Sequence, residues 1–219
     1  MFFKYKNLFY IFTVIIFTFF VSTISKAETG YFKFNYGIST HDMGTTTSAG
    51  TITHDDEDEG FIISGGAMLG DNWGVDVMYY DLGSSSLTSL DVGDDLKIEN
   101  DYYRVTTAGT ISNDITGFGT GIILTTDTDN ESSINVNAYI KTGVHAWDKS
   151  GSTTLLDRNS DFAGSFFDRG IGAYGGLGAG IDVSDNISID LAYDIIGLSK
   201  DASFGNASSL ISVGIKISN

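Results

Sequence analysis

The chain has 219 residues, with 27 glycines, 15 phenylalanines and 11 tyrosines but no proline and no cysteine, and its 12 Lys and Arg face 28 Asp and Glu for a formal net charge of −16. The lack of cysteine excludes disulfide scaffolds and thiolate metal centres, and the acidic balance excludes nucleic acid, whose phosphates demand a basic surface. At 42% hydrophobic residues the chain is too apolar for wholesale disorder.

Lys4 and Lys6 precede an apolar run from Leu8 to Val21, and Ser25-Lys26-Ala27 supplies the small residues of a cleavage site, so residues 1–27 read as a cleaved secretory signal peptide. The run is short for a spanning helix, which needs about 20 apolar residues. Cleavage removes three of the 12 basic residues and none of the 28 acids, leaving 28–219 as one domain with net charge −19.

From residue 31 the recurring hydrophobic period is two, the mark of a strand with one apolar and one polar face. Phe32, Phe34, Tyr36 and Ile38 alternate with Lys33, Asn35 and Gly37. Segments 60–69, 73–82, 115–125, 133–147, 170–183, 187–196 and 208–218 read the same way. Each is close to the nine to eleven residues that a tilted strand needs to cross a bilayer, some with overhang. The register that sends Phe61, Ile63, Ala67, Leu69, Trp73, Val75, Val77, Tyr79 and their counterparts outward puts Lys33, Asp76, Lys141, Asp190, Asp194 and Lys216 on the other face. A charge facing mid-bilayer costs about 2–4 kcal/mol, so this clearance favours lipid outside and a polar lumen within. A soluble lipocalin-like barrel would do the reverse, with its apolar face inward and charge outside. Aromatics near the strand ends, Tyr31, Trp73, Tyr79 and Trp147, suit interfacial girdles.

The connections 40–59, 70–72, 83–114, 126–132, 148–169, 184–186 and 197–207 run long, short, long throughout, the rhythm of an outer-membrane barrel with both termini periplasmic. Asp101 to Ile111 also alternates. A ninth strand would leave the C-terminus outside, so this stretch is expected as a β-extension within the second external loop. Asp127, Asp129 and Glu131 resemble the start of a calcium loop, but Ser132 and Ala138 stand where the sharp-turn glycine and closing glutamate belong, which leaves a polar turn.

Taken in order, GYFKFNYGIS, WGVDVMYYDLG, ITGFGTGIIL, INVNAYIKTGVHAWD, AGIDVSDNISIDLAYD and LISVGIKISN resemble the outer-membrane protein A-like family, the eight-stranded porin and opacity-type surface antigen group, over essentially the whole mature chain. The resemblance implies an all-β, eight-stranded antiparallel up-and-down transmembrane barrel without cofactor. Its partners would be outer-membrane lipid and lipopolysaccharide, the outer-membrane assembly machinery and an extracellular ligand or host surface. Members usually finish on an aromatic residue that the machinery reads; this chain ends in Asn219. Asp76 matches the family's inward acid of the third strand and Lys141 its inward base of the fifth. With Lys33, Asp190 and Lys216 they are expected to form an internal ion-pair network, because an eight-stranded barrel is only wide enough for side chains and opposed charges inside must pair.

Other motifs carry less. Gly170, Gly172 and Gly175 match a dinucleotide fingerprint, but Gly176, Gly178 and Gly180 continue the run where a helix should begin, each costing about 1 kcal/mol in a helix. Asp55, Asp56, Glu57, Asp58 and Glu59 read either as a solvated loop or as a weak calcium or magnesium site facing an anionic lipid surface. His41, His54 and His145 lack a visible nucleophile and orienting acid, although Asp148 and Ser150 follow His145 closely. The functional expectation is a structural, envelope-integrity or adhesion role through the external loops. A narrow gated pore is the alternative, with a lipid-modifying enzyme behind it.

Overall fold

A computed structural model describes residues 29–42, 45–47, 53–98, 101–106, 108–126, 135–157, 162–198 and 206–219. The expected signal peptide and the Asp127–Glu131 turn lie outside the described residues. Among the described residues twelve strands follow one another: β1 (Thr29–Asp42), β2 (Thr45–Thr47), β3 (Thr53–Asp55), β4 (Glu57–Gly70), β5 (Trp73–Leu90), β6 (Asp95–Ile98), β7 (Asp101–Val105), β8 (Gly109–Thr126), β9 (Val136–Asp157), β10 (Phe162–Ser184), β11 (Ile187–Gly197) and β12 (Ala207–Ser218). Eight of them, β1, β4, β5, β8, β9, β10, β11 and β12, pair antiparallel in that order, and β12 returns to β1, closing an up-and-down barrel. Each of the eight expected segments is one of these wall strands.

The register fixes the barrel's shape. The pairs Ile181↔Ile189, Ile189↔Ile215, Ile215↔Phe34, Phe34↔Ile63, Ile63↔Tyr79, Tyr79↔Phe118, Phe118↔Ala146 and Ala146↔Ile171 carry one hydrogen-bonded row around the wall. The row leaves β10 at Ile181 and returns to it at Ile171, a stagger of ten residues. With about 3.3 Å per residue and about 4.8 Å between strands, this stagger tilts the strands by about 40°. One circuit therefore climbs about 25 Å, the height of an apolar membrane band.

Within that band the outward side chains are apolar and uncovered, including Phe34, Tyr36, Ile122, Ile140, Leu177, Leu191, Val213 and Ile215. Ala67 keeps the outward register, opposite Val75, but is fully covered. Glycines on the inner wall receive aromatic rings. A Cβ on Gly117 would strike the Tyr80 ring, one on Gly121 the Tyr174 hydroxyl, one on Gly143 the Tyr174 ring, and one on Gly178 the Tyr139 ring. The fingerprint glycines lie within β10, in extended strand rather than at a helix start.

Both described chain ends and the turns at Asp71–Asn72 and Asp185–Asn186 share one end of the barrel, where Asn219 Oδ1 accepts from the Gly30 amide at 2.7 Å. At the opposite end the strands outgrow their expected limits. β5 and β8 continue beside each other up to Leu90 and Gly109, so Ser112-Asn113-Asp114 is wall. β9 and β10 stay paired up to Leu156 and Phe162. Residues 101–105 form a hairpin with β6 inside the second long connection, and only the last three residues of 101–111 join wall strand β8. The sheet β9-β7-β6-β2 ties the first and second long connections together in a folded crown.

Candidate functional site: the lumen and the crown

The lower lumen, nearer the short turns, is polar. Lys33 from β1 and Asp190 from β11 meet at 2.5 Å, and Lys33 also bonds the Tyr139 hydroxyl, lying over its ring. Lys141 from β9 meets Asp194 from β11 at 2.7 Å. Asp76 accepts from the Tyr174 hydroxyl at 3.0 Å. These five charged residues are all buried. The structure thus brings Lys33 to Asp190, pairs Lys141 with an acid outside the expected set, and gives Asp76 a tyrosine rather than a lysine. Lys216 lies beside Lys33 in the register and lines the mouth, where it makes no ion pair among the described residues.

Above this layer the inward face changes character. Ile62, Leu82, Ile115, Trp147, Ile196, Leu198 and Leu210 gather with Met78, Tyr80 and Tyr174 into one buried apolar cluster across the lumen. The crown continues it with Leu87, Leu90, Leu96, Val105 and Ile111, none more than 1% exposed. Two expected girdle residues are corrected here. Trp147 is 2% exposed and lies against Gly170 inside the barrel, while Tyr31 points inward against Gly66. Both share the parity of a lumen lysine on their own strand, Lys141 and Lys33, so a lipid-facing position is closed to them. Trp73 and Tyr79 do face outward, 45% and 41% exposed, and Tyr79 continues an aromatic row with Phe61 and Phe34.

Histidines seam the two layers. His145 Nε2 donates to the Gly197 carbonyl at 2.9 Å, which leaves Nδ1 to accept from the Tyr80 hydroxyl at 2.6 Å. Asp148, next but two in sequence, faces the other way and pairs with Arg169 at 3.7 Å. His41 lies buried between the Ser208 hydroxyl and the Leu82 carbonyl, and His54 is exposed on β3.

The acidic run is strand rather than loop. Thr53–Asp55 pairs with β5, and residues 57–59 belong to β4, so alternate carboxylates point to opposite faces. Among the described residues no three His, Asp or Glu side chains gather as metal ligands. Asp58, above the apolar band, accepts from the Ser84 amide and hydroxyl at 2.7 and 2.8 Å and from the Glu59 amide at 2.8 Å. Those bonds, the Ser84 amide first, hold its carboxyl below the usual carboxylate range. They cap a bulge in β5 where Gly83 takes φ +70°, a conformation glycine adopts freely.

No family model matches the chain, and no curated protein matches it significantly. Among solved structures it is similar to the outer membrane protein OprG from Pseudomonas aeruginosa, at 14% identity over 86% of this chain and 96% of that one, with a TM-score of 0.50. Neisserial surface protein A is similar at 16% identity, 86% and 96% coverage and a TM-score of 0.47. Ail, the attachment invasion locus protein of Yersinia pestis, is similar at 13% identity, 87% and 98% coverage and a TM-score of 0.47. The likeness to OprG shows the fold of an outer-membrane β-barrel.

Proposed function

We propose that this protein is an integral outer-membrane surface barrel whose lumen does not conduct and whose crown serves adhesion or envelope integrity. Its chain ends and short turns face the periplasm, and the crown stands outside the cell. The apolar cluster across the upper lumen carries this reading. A polar path enters from the short-turn end and stops at Ile62, Leu82, Ile115, Trp147, Ile196 and Leu210, a buried apolar layer that an ion crosses only by shedding hydration. A crown with its own buried core offers a rigid platform, and it exposes Asp55, Asp56, Glu57, Glu59, Asp91 and Asp114. Such a surface suits a basic ligand rather than a polyanion. Catalysis is not assigned, since both ring nitrogens of His145 and of His41 are engaged in structural hydrogen bonds.

Planar-bilayer recording tests the closed lumen. The wild-type protein is expected to give no unitary current steps, and the Trp147→Ala, Leu210→Ala double variant is expected to give them. Regular steps from the unaltered barrel would restore the narrow-pore reading.

A further inference from the structure

Strand β10 outruns its neighbour on one side. It pairs with β9 from Phe162 to Ile181, but with β11 only from Tyr174 onward. The Gly197 carbonyl accepts from His145 Nε2 at 2.9 Å, Leu198 enters the apolar cluster, and the Leu198 amide donates to the Asn206 carbonyl at 2.7 Å. The connection from β11 to β12 thus leaves the wall where β10 continues upward. The Asp182 amide donates to the Asn135 carbonyl at 3.1 Å, and from Gly164↔Thr153 to Ile181↔Val136 the register runs without a slip. In an antiparallel ladder alternate residues bond to the same neighbour, so even-numbered residues of β10 turn their backbone groups to β9 and odd-numbered ones turn them away. The N–H and C=O groups of Ser165, Phe167, Arg169 and Ile171 therefore line a bare edge about 20 Å long, with no backbone partner among the described residues.

Native sheets blunt such edges with lysine, proline or a bulge. Residues 165–171 hold no lysine and no proline, and the register shift of β10 against β9 lies beyond them, between Phe162 and Gly164. Arg169 is drawn aside, pairing with Asp148 at 3.7 Å and lying over the Phe167 ring at 4.6 Å. On the outward face Phe167 and Ile171 are 52% and 70% exposed, ready to flank a strand laid alongside. A second copy in the same membrane does not fit. Antiparallel pairing of two β10 edges needs a two-fold axis in the membrane plane, which turns one barrel upside down. Parallel pairing needs an axis along the strands, whereas copies in one membrane are related about its normal, from which the strands lean by about 40°. The strand therefore comes from another chain, and the exposed acids of the crown, Asp55, Asp56, Glu57, Glu59, Asp91 and Asp114, favour a cationic one.

We propose that the bare edge of β10 takes up an extended, cationic peptide segment of a foreign protein as an added strand, bonded to the backbone of Ser165, Phe167, Arg169 and Ile171, with apolar side chains at alternate positions beside Phe167 and Ile171. The added strand occupies the place that β11 vacates above Gly197. This inference rests on the reading of the crown as an adhesive surface and names the class of partner.

The test is amide exchange, read by NMR, on the full barrel in phosphatidylcholine nanodiscs, with a synthetic peptide of alternating valine and lysine and the same peptide N-methylated along both edges. In the free protein the Phe167, Arg169 and Ile171 amides should exchange fast while Asp168 and Gly170, turned to β9, are protected. The unmethylated peptide should bind saturably and slow the three odd-numbered amides by about tenfold or more. The methylated peptide keeps the charge but cannot join a ladder, and should bind at least about tenfold more weakly, since several backbone bonds are lost at once. Arg169→Pro removes one edge donor that β9 does not use and should weaken the peptide about two- to tenfold relative to Arg169→Ala. If Arg169→Pro fails to fold, the two peptides decide alone. Equal binding of both peptides would overturn the proposal and leave only charge attraction to the acidic crown, with the adhesive reading intact. Absence of binding, or odd-numbered amides already protected in the free protein, would overturn it as well; protection that grows with protein concentration would give the edge to a second copy instead.

Discussion

The two halves of the lumen meet the same demand, filling a tube with side chains, by opposite means. The lower half places Lys33, Asp190, Lys141, Asp194 and Asp76 in contact with one another or with tyrosine hydroxyls, so its order depends on each charge finding its partner. The upper half packs Leu82, Ile115, Trp147, Ile196 and Leu210 around a few buried polar groups such as His41, so most of its filling depends on volume rather than on charge partners. Buried ion pairs are fragile toward loss of one member yet replaceable as a unit, whereas an apolar layer loses stability in proportion to the volume removed. The difference assigns specificity of register to the lower half and closure to the upper.

The largest expected effect attacks the first half of that contrast. Asp190→Leu strands the Lys33 ammonium and should cost about 3–5 kcal/mol in denaturant unfolding from micelles. Adding Lys33→Met should recover most of it; a double variant as unstable as the single one would show that the pair is not an exchangeable unit. Leu210→Ala should cost about 3 kcal/mol, with no single polar partner whose removal restores it. The smallest effect sharpens the boundary with the crown. Because its folded-state value is depressed, Asp58 stabilises the bulge at Gly83 above the ordinary carboxylate range, and that contribution disappears as pH falls through the depressed value. Ser84→Ala should cost about 1 kcal/mol or less and move the Asp58 titration upward, read by carboxylate NMR, while the lumen resonances stay fixed.

Much of the wall was legible because lipid enforces a strict period of two, and a single misplaced charge is costly there. That is why Lys33, Asp76, Lys141, Asp190 and Lys216 could all be set on one face from sequence. Partner choice was not legible. It depends on the ten-residue stagger, which brings Asp194 to Lys141 and leaves Lys216 at the mouth. Trp147 could have been placed correctly, since it lies two residues beyond His145 on the same face. The closing layer also left a trace that alternation alone passes over. The doublets Ile62-Ile63, Tyr79-Tyr80, Ile195-Ile196 and Leu210-Ile211 put apolar groups on both faces at once, so a strand segment there touches lipid on one side and a core on the other. The crown was hardest to see, because stretches such as Gly83-Ser84-Ser85-Ser86 carry no amphipathic pattern and owe their strand form to neighbours.

The seam between β1 and β12 has a kinetic consequence. Its bonds join residues as far as 189 positions apart, whereas each other wall contact joins strands that follow closely along the chain. Nearest-neighbour ribbons can zip early, but the clasp that turns a curved ribbon into a cylinder must wait for the most distant partners to meet. Until then the intermediate has two raw borders of unsatisfied amides, so a defect in the clasp should leave rigid strands that never become a sealed tube.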